Sequence, residues 1–385
     1  MSPRKQNVDP TPPRKMTRRQ LSRHQREVRR QRIAYIAIAS ALALVILIPL
    51  IGYWQENVVR GFAPVAIVSG ETITADTYSR YLGLQQATIQ REIQNSSKAP
   101  VAGDQSAQQQ LARAQQQFLL MQMQQLPDNA LGDLIAGKIV RDEAKRRGLT
   151  ATPEELDTAL LSTIPSDPVA ALMSGKTDDA EIAKIMIEDS RKSLRTLLGK
   201  GRFLTEDEYN VYVLETNVMR DKLRDALGVG LPTSGPQLHV RQLILDTEEK
   251  GKEAKARLDK GDDFATVAME MSTDGNTKEK GGDMGWLPAG QEPADFDAIA
   301  FSLPLKQRSE PTKTVAGYRI VEVLEKADSR AFESGYMSQQ KAKVFREWLQ
   351  TQLAPETGVV REVITPELQS WATRAADRES IKVTQ

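Results

Sequence analysis

The chain has 385 residues, with 52 Lys+Arg against 51 Asp+Glu, two histidines and no cysteine. That length allows two or three domains with separate cores, and the nearly cancelling charge excludes the overall basicity of a nucleic-acid binder. Without cysteine there is no disulfide staple, thiolate nucleophile or lipid-modified cysteine anchor.

Residues 1–32 carry a basic excess and almost no apolar side chains, so they are expected to be disordered and to resist translocation. Directly behind them, Ile33 to Trp54 reads IAYIAIASALALVILIPLIGYW, an uncharged apolar run of about the twenty residues that a bilayer core requires. A cleaved signal peptide has a shorter apolar region and a small-x-small cleavage site, so the run predicts an uncleaved transmembrane helix over 33–54. The basic side then stays in the cytoplasm and the bulk of the chain lies outside, with Tyr53 and Trp54 at the outer interface. His24 and His239 fall on opposite sides of that membrane, which excludes a histidine zinc site or a catalytic histidine pair within one chain.

From Ala63 the sequence APVAIVSGETITADTYSRYLGLQQ predicts a short strand (Val65, Ile67), a turn at Ser69-Gly70 and a helix capped by Thr74. The glutamine-rich stretch 85–125 reads as two helices separated by Ser96-Ser97-Lys98-Ala99-Pro100. Leu131, Leu134, Ile135 and Ile139 then recur at helical spacing, and Gly148 is a natural stop. Thr152, Pro153 and Glu155 spell a capping box with proline at the first helical position. A second such box, Thr205 to Glu208, opens a helix carrying Tyr209, Tyr212, Val213 and Leu223. The segment 63–230 is thus mostly helical, and 228–236 reads as a linker.

After the linker the period changes. QLHVRQLILD predicts a strand, EEKGKEAKARLDKG a solvated helix, and DDFATVAMEMS a helix whose Phe264, Val267, Ala268 and Met271 face a core. A polar loop, TDGNTKEK, leads to GGDMGWLPAG, a short helix (Phe296, Ile299, Ala300) and a last strand, GYRIVEVLEK. This order describes an α+β module of roughly ninety residues. Gly281, Gly282 and Gly285 suit a backbone that turns or lies close to another strand, and no Lys-Ser or Lys-Thr follows them as a phosphate cradle requires. Asp274-Gly275-Asn276 lacks the alternating acids and closing glutamate of a calcium loop.

FATVAMEMS (264–272), GGDMGW (281–286), FDAIAFSL (296–303) and GYRIVEV (317–323) occur in the order and spacing of the parvulin-type (PpiC) peptidyl-prolyl isomerases, which residues 237–326 resemble. The single anchor, the VSGETIT start, the helix pair at 134–160 and a late helix with Trp348 look like the PrsA and SurA foldases of exported proteins. The resemblance implies an α+β chain: one transmembrane helix, then a mostly helical chaperone domain built from 63–235 and 330–385, with a parvulin module inserted at 236–328.

It also implies the activity, cis-trans isomerisation of Xaa-Pro bonds in unfolded or newly exported polypeptides, which needs no cofactor because no bond is made or broken. The family's acidic position falls on Asp274, its two histidine positions on Gln242 and Arg319, and a family threonine on Thr314. Its proline pocket falls on Met284 and Phe296, with Glu292 where a methionine is usual, and Trp286 is either a peptide contact or simple packing. His239, three residues from Gln242 on one strand, is expected on the opposite face. Partners implied are such polypeptides and, through 33–54, the lipid bilayer; a homodimer is left open. Because both histidines are replaced, a binding-only chaperone with a degenerate module stands beside the enzyme. An envelope-complex scaffold, docked through the basic tail, is the third reading.

Overall fold

The computed structural model describes residues 18–98, 105–164 and 179–384. The chain forms two compact units, one made of Met1–Leu134, Arg195–Thr205 and Arg361–Gln385, the other of Ile135–Leu194 and Glu206–Val360. Among the described residues the protein is mostly helical.

In the first unit, helix α1 runs Arg18–Trp54. Its Arg32–Trp54 portion is the one segment among the described residues long and apolar enough to cross a membrane, and its side chains are exposed. The basic stretch from Arg18 to Arg32 is helical, where composition alone predicts disorder. Arg and Gln are good helix formers, and a neighbouring helix removes the cost of nucleation. The rest of that tail, 1–17, lies outside the described residues.

Strands β1 (Pro64–Val68) and β2 (Glu71–Thr74) form a hairpin whose turn residues, Ser69 and Gly70, both have positive φ (51° and 83°). Such a turn matches the twist of paired strands. The Thr77 N–H donates to Thr74 Oγ1 at 3.3 Å, capping helix α2 (Ala75–Lys98). That helix packs on the C-terminal helix Pro366–Thr384, with Gly83 so close to Ala376 that an added Cβ would lie 3.3 Å from its Cα. Gln86 Nε2 donates to Asp377 at 2.8 Å across the same contact. Helix α3 spans Gln105–Arg146 without stopping at Pro127, so the second glutamine-rich helix and the helix at Leu131 are one element. The break expected at 96–100 falls between α2 and α3, where residues 99–104 lie outside the described residues. The Tyr78 hydroxyl donates to the Pro127 carbonyl at 2.8 Å, and burial pushes its pKa up to about 12.

In the second unit, helix α4 (Pro153–Thr163) begins at the capping box: the Glu155 N–H donates to Thr152 Oγ1 (3.3 Å) and the Thr152 N–H to Glu155 Oε2 (2.8 Å). The helix after Thr205 contains a π turn, Asn210–Glu215, before continuing as Thr216–Leu227. A π turn admits an extra residue and is read from tertiary contacts such as the bond between Arg141 and Thr216. Val140, Ala144, Met219 and Leu223 form a core with Phe345 and Trp348 of helix Ser334–Leu353.

The α+β module of this unit is an antiparallel sheet in the order β4-β3-β6-β5, with β3 Ser234–Leu245, β4 Asp283–Pro288, β5 Thr312–Thr314 and β6 Gly317–Ala331. β5 is an element beyond the predicted order; three residues carry too little periodicity to be seen. Helices Glu248–Asp259 and Phe264–Met271 cover one face of the sheet, packing Leu258, Phe264 and Val267 on Leu243, Leu245 and Ile320. Helix Ala294–Ala300 covers the other, packing Phe296 and Ala300 on Leu238, Val240, Val321 and Val323. Ser234 pairs with Ala331, so the two ends of the module meet.

Candidate active site

Alternation along β3 decides which side chains share a face. Leu238 and Val240 point to the face covered by Ala294–Ala300, and Gln242 follows them. Arg241 lies over the ring of Phe264 on the other face, 4.4 Å from its centroid. From buried Gln242, Nε2 donates to Asp274 Oδ2 at 2.7 Å. Asp274 sits in the loop after helix Phe264–Met271, where it also accepts from Thr277 Oγ1 (2.5 Å) and the Asn276 N–H (3.1 Å). Burial acts to raise the Asp274 carboxyl, but the hydrogen bonds from Thr277, Asn276 and Gln242 and the positive charge of Arg319 outweigh it and hold the group below the ordinary carboxylate range. Thr277 is a site residue that the sequence reading missed; an aspartate followed three residues later by a hydroxyl in a turn is the signal that could have found it.

On β6, Arg319 occupies the face of Val321 and Val323, with its guanidinium 5.0 Å from the centroid of Phe296. Phe296 is only 1% exposed. Glu292 lies 3.8 Å from Arg319 Nη1, too long for a hydrogen bond. Gln242 Oε1, Arg319 Nε and Arg319 Nη1 are buried without a hydrogen-bond partner.

Met284 reaches the Phe296 cluster through a bulge. Pairing of β3 with β4 passes from Arg241↔Asp283 to Val240↔Gly285, leaving Met284 unpaired, and Gly285 has φ +73°. Gly282, at φ +84°, brings its carbonyl within 2.8 Å of the Gln242 N–H, and a Cβ there would collide with the Gln242 carbonyl oxygen. The glycines of GGDMGW therefore serve close strand approach and re-aim one side chain.

The structure thus brings together Gln242, Asp274, Arg319, Phe296, Met284 and Glu292. One other sequence-derived residue stands apart. Trp286 stacks on His239 (centroids 5.6 Å) and under Arg330 (4.5 Å), on the face opposite Gln242. The bulge is the reason, since it breaks the alternation that would have put Met284 and Trp286 together. Thr314 donates to the Gly317 carbonyl (2.9 Å) and accepts from the Ala316 N–H (3.3 Å), closing the β5–β6 turn. His239 contacts Asp283 (2.9 Å) and Glu325 (3.4 Å), remote in chemistry from the Asp274 network.

Residues 241–325 match the rotamase family, described as the PPIC-type PPIASE domain. The module is a parvulin-type domain. Over 97 residues the chain is 36% identical to the foldase protein PrsA of Geobacillus kaustophilus, covering 25% of this chain and 34% of that protein. Over 194 residues it is 28% identical to the foldase protein PrsA of Caldanaerobacter subterraneus subsp. tengcongensis, covering 50% of this chain and 55% of that one. The chain is thus homologous to PrsA foldases while spanning about a third to somewhat over half of their length. A crystal structure of peptidylprolyl isomerase PrsA from Bacillus anthracis aligns at 18% identity and a TM-score of 0.30, covering 58% of this chain and 93% of that one.

Proposed function

We propose that this protein is a membrane-anchored extracytoplasmic foldase that isomerises Xaa-Pro bonds in newly exported polypeptides. Rotation about that bond faces a barrier of about 18–20 kcal/mol because the amide loses its resonance. A catalyst has to grip the proline ring in an apolar pocket and favour the twisted amide over both planar forms. Phe296 and Met284 supply the apolar wall, and Asp274, Gln242 and Arg319 the polar floor beside it. The observation that carries this reading is the junction of these two groups on one face of a sheet whose residues 241–325 match the isomerase family. Arg32–Trp54 would be the anchor, with the basic residues before it inside and the foldase body outside. The helical segments on either side of the module would bind unfolded clients.

A binding-only chaperone is the second reading, favoured by Gln242 and Arg319 at the two histidine positions. The full-length protein in detergent is to be assayed for proline isomerisation and, in parallel, for suppression of client aggregation. Acceleration of isomerisation supports the enzyme; suppression of aggregation with no acceleration removes it and leaves the chaperone.

A further inference from the structure

Arg319 is held in a way that few buried cations are. Its side chain is 7% exposed, yet the carboxylate nearest to its Nη1, Glu292, stays at 3.8 Å. Asp274 is already taken up by Gln242, Thr277 and Asn276. Two of its nitrogens, Nε and Nη1, are buried and donate to nothing. What it does touch is the ring of Phe296, the wall of the proposed proline pocket. Buried charged donors are almost always satisfied in a folded protein, so a partnerless pair against the ring of the proposed proline site points to donors kept for a ligand.

The substrate brings an acceptor that exists only during the reaction. In the planar Xaa-Pro amide the nitrogen lone pair is delocalised into the carbonyl and accepts no hydrogen bond. As the bond rotates, the lone pair returns to nitrogen, which becomes pyramidal and basic. A donor that meets this nitrogen only in the twisted form stabilises the transition state and neither planar isomer. A guanidinium suits the task, because its charge strengthens the bond and it keeps its proton throughout.

We infer that Arg319 is a catalytic residue of this site, donating from Nε or Nη1 to the prolyl nitrogen of the twisted amide while Phe296 and Met284 hold the ring. This rests on the isomerase reading above. The N–H···N bond forms and is lost within one rotation. No proton is transferred and no covalent bond is made or broken.

The test measures kcat by cis-trans exchange NMR, and Kd by titration, for an Ala-Pro peptide with the full-length protein in nanodiscs. Arg319→Gln should lower kcat about 100-fold while Kd stays within about threefold, and Arg319→Lys, a cation without the fork, should recover part of that loss. Because an altered Arg319 could disturb folding, the unmodified protein supplies a second readout. Its Arg319 Nε–H resonance should shift on adding a bridged bicyclic lactam whose amide is held out of plane, and stay in place with a planar proline amide. Loss of kcat and Kd in equal measure, an Arg319→Gln kcat within about threefold of the parent, or an unmoved Nε–H signal overturns the assignment while leaving the isomerase reading intact. An unmodified protein without isomerase activity overturns both.

Discussion

Asp274 carries the one carboxylate of the polar floor that is fully hydrogen-bonded, and its pKa sets the acid limit of the site. Its folded pKa is depressed, so the stability it contributes is fully present above the ordinary carboxylate range and is lost as pH falls through its lowered value. Chemical denaturation at a series of pH values should therefore show the parent losing more stability than Asp274→Asn below about pH 4, with the two curves parallel from about pH 6 to 8. Isomerase activity should be flat over that upper range, since no imidazole belongs to the Gln242–Asp274–Arg319 cluster. Phe296 tests the pocket. Phe296→Ala should remove most turnover and cost about 3–5 kcal/mol of stability, because it empties a fully buried aromatic position. His239→Gln should leave the rate within about twofold, because its ring lies on the opposite face against Trp286. An equal loss of rate in folded Phe296→Ala and His239→Gln would dismiss this placement of the pocket.

Elements are where local rules and tertiary demands meet. The β3–β4 edge depends on Gly282, whose left-handed φ and contact with the Gln242 carbonyl leave no room for a side chain. Gly282→Ala should destabilise the module by about 2 kcal/mol or more and shift the Gln242 and Asp274 resonances, which denaturation and NMR would show; an unchanged midpoint would mean that the strands can separate without cost. The pairing of Ser234 with Ala331 makes a second case. Replacing 234–331 by a two-residue turn should leave the remainder with a single cooperative transition, and the excised segment should fold by itself. Gradual, non-cooperative melting of the remainder would count against an inserted module. The capping box at Thr152, the strands β3 and β6 and the helices that flank them were legible in the sequence, because each is specified by residues within one or two turns of one another. β2 and β5 were not, because four- and three-residue strands exist only through their partners.

At the scale of the whole molecule, the asymmetry of the chain governs where its parts would lie. A basic leader followed by the apolar helix Arg32–Trp54 predicts an uncleaved anchor with its N-terminus inside. Protease added to spheroplasts should digest the parvulin module and spare a fragment containing residues 1–54; protection of the module would reverse the orientation. The helical part shows how far composition alone can mislead. Gln105 to Gln125 is by composition too sparse in apolar residues for a firm core, yet it forms the first half of α3, with Leu119 and Leu126 buried along one side. Two apolar residues a heptad apart suffice when the rest of the helix is already formed.

What the sequence determined by itself was whatever rests on neighbours in the chain: the apolar span, the helix starts at Thr74 and Thr152, the strand-helix order of the module, and the residue types at its site. Tertiary structure decided which of those residues meet. By alternation Met284 and Trp286 belong on one face, but the bulge at Gly285 sends them to opposite sides. Thr314 reads as a family threonine, and the pairing of β5 with β6 sets it diagonally beside Arg319 with its hydroxyl closing the turn. Gln242 and Arg319 lie 77 positions apart and carry no mutual signal, yet antiparallel pairing of β3 with β6 sets them diagonally on one face beside Asp274. The reason is the same in each case: a side chain's face follows from the count of paired residues across strands, and one extra residue or one distant partner changes it without leaving a local mark.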